Sequence, residues 1–404
     1  MKKREERGPV DIHNYRKRVH DALENVANSQ LPPEDKVAIR QFSDTLRAQG
    51  LSLGRIAKYV YHLKTISENL VLISGSGGLE QADMQAIGKL SGWLNGSSYR
   101  PQTRKDFFVV LKRYYQWKRA PPQEYPRWRR RHLYPPEVED LSTTLKFNET
   151  VLPSDLLTAE DVNRLLSVAN HPMLSAYVAL SDEVGPRAGE ILGMTIRSLT
   201  FDGTDVIVRL GGKTGERIIY LVKSVSLVSH WLGIHPLRDD PSAPFWLNLS
   251  NNNRHARWTY GGCKRMLDEL AKKAQIKKRL YPHLFRHSAA TRDAKLGFTE
   301  SQLCLKYGWV PGSRTPRIYL HLAGTDLRQK IMETYGGREV ERPKPQTVKC
   351  PRCSAVNHPG QNYCYACGSP LEPAPKTVEL EEMRKELSEI KDALKTLLSQ
   401  RPGA

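Results

Sequence analysis

No run of about 18 consecutive apolar residues occurs anywhere in this 404-residue chain, so a membrane-spanning helix is excluded. Behind Met1-Lys2-Lys3-Arg4-Glu5-Glu6-Arg7 there is no apolar stretch that could serve as a secretory signal, and a cytoplasmic address is expected. Cysteine is scarce, six in all, too few to staple a chain of this length with disulfides. Acidic residues are in deficit: 43 Asp and Glu stand against 62 Lys and Arg, a formal net charge of +19. Such an excess favours polyanions, with nucleic acid the leading partner. Hydrophobic residues, at 39%, suffice to bury real cores, so general disorder is not the reading.

The chain is long for one core, and two or three domains are expected. Residues 1–120 read as a helical DNA-binding domain. Leu51 to Leu70 carries apolar residues at helical spacing with Arg55, Lys58 and His62 on another face. A second helix opens at Pro101, where a first-turn proline is tolerated, and runs past Phe107, Leu111 and Tyr115 among Arg104, Lys105, Lys112 and Arg113. From Arg100 to Arg131 there are eleven basic and two acidic residues. That density ends in Arg127, Arg129, Arg130 and Arg131 around Trp128. The prolines on both sides predict an extended, irregular linker over 121–150, its arginines suited to phosphates along a duplex.

A second domain is expected over 151–340, mainly α with a small β-sheet. Thr158 reads as an N-cap, with Asp161 in a capping-box position. Val206–Leu210 and Arg217–Leu221 flank Gly211-Gly212-Lys213-Thr214-Gly215 and predict a β-hairpin. The polar residues then come in a telling order. Arg187 and Glu190 stand three apart; Lys213 lies in the hairpin turn. Pro282 precedes His283 and Arg286, which share the first turn of a helix, where free backbone N–H groups favour a phosphate. Gly308-Trp309 follows, and Tyr319-Leu320-His321 closes the series.

The series G-x-R-x-x-E-I, hairpin lysine, H-x-x-R, Gly-Trp and Tyr-x-His resembles the tyrosine recombinase (phage-integrase) family over roughly residues 150–335. The helical region before it matches that family's core-binding domain in position and character. Membership implies a site-specific recombinase that cuts and rejoins double-stranded DNA through a 3′-phosphotyrosine, assembles as a tetramer in synapsis, and uses neither nucleotide nor catalytic metal. Carried onto this sequence, Tyr319 is the nucleophile and Arg187 and Arg286 clamp the non-bridging oxygens. His283 becomes the base partner of a phenol whose pKa near ~10 needs help. Lys213 is the general acid for the departing 5′-oxygen, unless it is an ordinary turn lysine. Trp309, where many members carry His, donates its indole N–H or packs at the phosphate, and Glu190 orients its neighbours. His287 reads as a packing residue. Pro316, three residues before Tyr319, either distorts the nucleophile's helix or begins it. Two rival readings are a type IB topoisomerase-like relaxing enzyme and a DNA-binding regulator whose catalytic set is vestigial.

The tail after Arg342-Pro343-Lys344-Pro345 differs. Cys350, Cys353, Cys364 and Cys367 form C-x2-C-x10-C-x2-C, the spacing of a structural zinc ribbon over 346–371, with two disulfides as the alternative. Cys263 and Cys304 read as buried packing residues. Leu380, Met383, Leu387, Ile390, Leu394 and Leu397 then recur at alternating steps of three and four, a coiled-coil seam over 376–400 that implies oligomers or a groove to receive it.

Overall fold

The computed structural model of the chain describes residues 11–75, 77–144, 153–202, 205–212, 215–250, 254–323, 348–353, 356–357, 364 and 368–371. Two compact units result, one over 13–150 and one formed by 151–404 together with 1–12. Lys213, Cys367, the 342–345 segment and the heptads from Leu380 to Leu397 lie outside the described residues.

The first unit is all helix: α1 (Tyr15–Ala27), α2 (Pro33–Ala48), α3 (Leu53–Ser74), α4 (Met84–Gly96), α5 (Pro101–Arg119), α6 (Tyr125–Arg131) and α7 (Pro136–Glu139). Pro101 occupies the first turn of α5, and Lys118 and Arg119 sit in its last turn, against the negative end of the helix dipole. Its core is aromatic: Phe42 meets Tyr114 edge-on at 5.5 Å between centroids. A fully buried carboxylate, Asp35, accepts the backbone N–H groups of Leu79 at 2.7 Å and Glu80 at 3.0 Å and the hydroxyl of Ser67, which pins the loop before α4 to the bundle.

Of the expected linker, the described residues 121–144 are not the extended chain the prolines suggested. Pro126 sits in the first turn of α6, and α7 carries Val138, wholly buried in the core of this unit. In both places proline opens a helix, where its missing N–H costs nothing.

The second unit is the α+β domain expected. Its helices are α8 (Ala159–Val168), α9 (Pro172–Val184), α10 (Ala188–Leu192), α11 (Val225–Gly233), α12 (Tyr260–Lys273), α13 (Pro282–Lys295), α14 (Glu300–Tyr307) and α15 (Thr315–Ala323). The antiparallel sheet has order β1 (Leu199–Asp202), β2 (Asp205–Gly212), β3 (Gly215–Leu221), with Val208 opposite Ile219 and Gly212 opposite Gly215. Strand β1 escaped the sequence reading because four residues carry too little alternation to register. The capping box at Thr158 is present in both directions, Thr158 N–H to Asp161 and Asp161 N–H to Thr158. Tyr177 anchors the core, with Trp246 and Trp258 edge-on at 5.4 and 5.2 Å and the Cys263 thiol 3.1 Å from its hydroxyl. Ile12 joins this core, its carbonyl accepting the N–H of Tyr260 at 3.0 Å. Beyond them, β4 (Val348–Lys349) pairs antiparallel with β5 (Val356–Asn357). Among the described residues no helix is long and apolar enough to cross a membrane.

Candidate active site

Glu190, buried in α10, is the hub of one side of the site. Its Oε2 accepts the backbone N–H of Arg187 and its Oε1 accepts Arg187 Nη1, both at 2.7 Å. From β3, Arg217 forks onto the same carboxylate, Nη1 to Oε1 and Nη2 to Oε2, each at 2.7 Å. Burial by itself would push the Glu190 carboxyl up; the hydrogen bonds and charge of Arg217, then of Arg187, overcome this and hold it down to about 2. Arg217 also donates Nε to the Lys306 carbonyl at 2.8 Å, and Arg187 donates Nη2 to the Gly308 carbonyl at 2.7 Å. Strand β3, α10 and the end of α14 are thereby locked into one frame. The frame has no room to spare: a Cβ on Gly212 would stand 2.8 Å from Glu190 Oε1.

Arg286, on α13, is almost wholly buried and donates to two backbone carbonyls, Gly185 at 3.0 Å and Tyr307 at 2.5 Å. Burial first, then the positive Arg187, lowers its pKa to about 10, so it remains cationic at neutral pH. Its guanidinium carbon stands 5.2 Å from the ring centroid of Tyr307 and 5.3 Å from that of Trp309. Trp309 in turn is sandwiched, 4.9 Å from Tyr307 on one side and 4.9 Å from Tyr319 on the other, where the planes diverge by only 9°. The structure thus gives Trp309 a stacking role on the candidate nucleophile's ring. Tyr307 is no rival to Tyr319: it is fully buried and donates its hydroxyl to the buried Asp293 at 2.6 Å, a carboxylate that Lys306 also pairs at 2.6 Å.

Tyr319 lies in α15, which Pro316 begins rather than distorts. Its hydroxyl is 2.8 Å from Nδ1 of His287, not from His283. The expectation that His287 merely packs and that His283 meets the phenol is therefore corrected. His283 is displaced because α13 carries it one turn earlier, leaving its ring more open and 5.5 Å from that of His287. Partial burial and the cations Arg286 and Arg187 lower the His283 pKa. Burial raises the Tyr319 pKa, with Arg286 opposing. The sequence did hold a signal for His287: it stands four residues after His283, hence on the same helix face. Arg217 was missed as well, and its signal was a cation within β3 directly before the run Ile218 to Leu221.

Of the basic residues proposed for DNA, Arg55, Arg127, Arg129, Arg130 and Arg131 are exposed, the last four on α6. Others already have partners within the fold. Lys58 pairs with Asp106 at 2.9 Å, Arg104 donates to the Asn95 carbonyl at 2.7 Å, and Arg113 donates to Gln49 at 3.1 Å. Lys112 donates to the carbonyls of Glu139 and Leu141 at 2.8 and 3.0 Å and lies over Tyr134, so it caps α7. Lys105 is half-buried.

In the tail, the sulfurs of Cys350, Cys353 and Cys364 lie within 4.8 Å of one another and can hold a metal ion. Four sulfurs at ~2.3 Å from a tetrahedral ion would be about 3.8 Å apart, so the donor set fits. The backbone N–H of Arg352 points at Cys350 Sγ at 3.4 Å, and Gly368, at φ +70°, donates to the Cys364 carbonyl at 2.9 Å, as tight turns around a metal require. Cys263 and Cys304 are buried, as expected.

Two arginines fixed by carbonyls, a stacked tyrosine and a histidine on its hydroxyl thus gather at one place on a mainly helical frame. Residues 155–325 match the family model described as the phage integrase family. Over 144 residues it is 27% identical to tyrosine recombinase XerC of Salmonella typhi, covering 35% of this chain and 46% of that protein. The chain thus spans about half the length of the curated relatives it matches. Among solved structures, XerH site-specific recombinase bound to palindromic difH substrate in a post-cleavage complex is 18% identical with a TM-score of 0.52, over 81% of this chain and 97% of that one. The Tn1549 transposon integrase in complex with transposon right-end DNA is 16% identical with a TM-score of 0.51, over 74% and 99%. These likenesses show the fold.

Proposed function

We propose that this protein is a site-specific DNA recombinase or integrase in which Tyr319 attacks a scissile phosphate and holds the cut strand as a 3′-phosphotyrosine. The observation that carries the reading is the stack of Arg286, Trp309 and Tyr319, which sets the phenol beside a buried guanidinium. As phosphorus gains a fifth oxygen, charge accumulates on the non-bridging oxygens. Arg187 and Arg286 are held to meet it without reorganising. A guanidinium has five N–H donors, so two bonds to the protein do not exhaust it. The phosphotyrosine stores the energy of the broken bond, and rejoining needs no nucleotide. Lys213, in the β2–β3 turn, is assigned to protonate the departing 5′-oxygen, and His283, more open than His287, to contact the phosphate. The tail cysteines, with Cys367 as fourth ligand, would hold a structural Zn²⁺, and the heptads would join protomers on DNA. Related folds solved as DNA complexes support a duplex as substrate.

A denaturation-resistant protein–DNA adduct on nicked duplexes, selected for binding from random-sequence DNA, tests the reading. Tyr319→Phe is expected to bind DNA like the wild type and to form no adduct, because only the hydroxyl is lost. Adducts formed by Tyr319→Phe would overturn it.

A further inference from the structure

Attack on phosphorus requires the Tyr319 hydroxyl to give up its proton, and the atom that meets that hydroxyl, at 2.8 Å, is Nδ1 of His287. The rings of His287 and Tyr319 are 5.8 Å apart and inclined by 30°, while Trp309 covers Tyr319 in a nearly parallel stack. The phenol is therefore held in one orientation, hydroxyl towards the imidazole. When the imidazole carries its proton on Nε2, Nδ1 presents a lone pair to the hydroxyl.

We propose that His287, on α13, is the residue that takes the Tyr319 proton during strand cleavage, an assignment that rests on the recombinase reading above. The Tyr319 O–H bond breaks towards Nδ1 as the bond from that oxygen to phosphorus forms. The bond from phosphorus to the 5′-oxygen breaks, and that oxygen leaves with a proton from the general acid. In rejoining, the 5′-hydroxyl displaces tyrosine, and Nδ1–H returns the proton. Nothing is oxidised or reduced.

The charges acting on His287 are His283 and Arg286 of its own helix, and Tyr319 faces it from α15. Burial, then these two groups, lowers its pKa to about 4, so the ring is neutral and able to accept at neutral pH. A base so weak suits a phenol poorly. A phosphodiester drawn in by the arginines offsets their charge and relieves part of the depression, so substrate binding itself strengthens the base. His283, with a surface open to solvent, has no hydrogen bond to the phenol among the described contacts.

The test isolates the attacking side. A selected duplex carrying a 5′-bridging phosphorothiolate at the cleavage position, mapped from the adduct, releases a thiolate that needs no general acid. Single-turnover cleavage by the full-length protein is followed from about pH 6 to 9, the range between the ordinary imidazole and tyrosine pKa values. Wild type and His283→Gln should give nearly flat profiles. His287→Gln and His287→Asn should lose on the order of 10²-fold at pH 7 and gain about tenfold per pH unit, since hydroxide must then take the proton. Unchanged DNA binding identifies a folded variant, and two replacements guard against one that misfolds. Flat profiles with losses under about threefold in the His287 variants, or a slope that appears in His283→Gln instead, overturn the assignment while leaving the recombinase reading intact, because a loss that small is below one proton-transfer contribution. Wild-type protein that forms no adduct overturns both.

Discussion

Glu190 receives four N–H groups from two arginines, and removing one arginine leaves a buried carboxylate short of donors. Arg217→Ala is therefore expected to destabilise the catalytic unit by about 3 kcal/mol, the usual scale for breaking a buried ion pair, read as a lower urea midpoint. Arg217→Lys should recover only part, since an ammonium cannot fork onto both oxygens. The same carboxylate has a pH signature. Its folded pKa is depressed to about 2. Its contribution is thus fully present above the ordinary glutamate value of ~4.3 and is lost as pH falls through the folded value. The stability difference between wild type and Glu190→Gln should stay constant from about pH 6 to 8 and shrink below about pH 4. At this scale the candidate residues were legible as types, because a phosphate clamp would need arginines and a covalent intermediate a nucleophile. What escaped was which histidine faces the phenol. His283 and His287 share a helix face, and only the packing of α15 against α13 chooses between them. Arg217 escaped for a similar reason, since its partner lies 27 residues away in sequence.

Elements were legible where punctuation is chemically unambiguous. Pro101, Thr158 and Pro282 each opened the helix expected of them. Prolines misled only around α6, where a cluster of them was taken for extended chain although Pro126 and Pro136 each sit in the first turn of a helix. The correction sharpens an expectation for binding. Arg127, Arg129, Arg130 and Arg131 now project from one short helix and are exposed. Replacing all four with Gln should flatten the dependence of log K on log salt by up to about 0.9 per lost phosphate contact, while single-turnover cleavage at saturating protein persists. An unchanged salt slope in fluorescence anisotropy would mean that α6 does not face the backbone. The turn between α9 and α10 makes a second demand on sequence. Gly185 sits at φ +58°, and a methyl there would stand 2.7 Å from the Tyr307 ring and 3.3 Å from the Arg286 Cα. Gly185→Ala should cost about 2 kcal/mol or more, combining a left-handed backbone with overpacking, and should depress cleavage by displacing Arg286. A variant with wild-type urea midpoint would show that the turn relaxes freely.

At the scale of the molecule, the candidate site and the tail cysteines occupy different stretches of chain. Every described member of the candidate site lies between Gly185 and Tyr319, whereas the cysteine cluster begins at Cys350. A module this small has little apolar surface to bury, Leu371 being its buried aliphatic residue among those described. Metal binding would then supply much of its folding energy. A helix along the heptads from Leu380 to Leu397 would face a similar difficulty, since one amphipathic helix of about three heptads is marginal alone in water. It would need a second copy or a groove. The protein should therefore carry about one Zn²⁺ per chain by elemental analysis, as a single four-sulfur site dictates, and Cys350→Ser with Cys364→Ser should abolish it. Deleting residues 346–404 should leave Tyr319-dependent cleavage of a single nicked site measurable, because no reacting group is removed, while sedimentation shows a smaller assembly on DNA and two-site recombination falls. Leu387→Asp with Leu394→Asp should reproduce the loss of assembly with the cysteine cluster intact. Loss of single-site cleavage in a truncated protein that still binds DNA would place the tail within the active site, and unchanged mass in the leucine variant would remove the heptads from assembly.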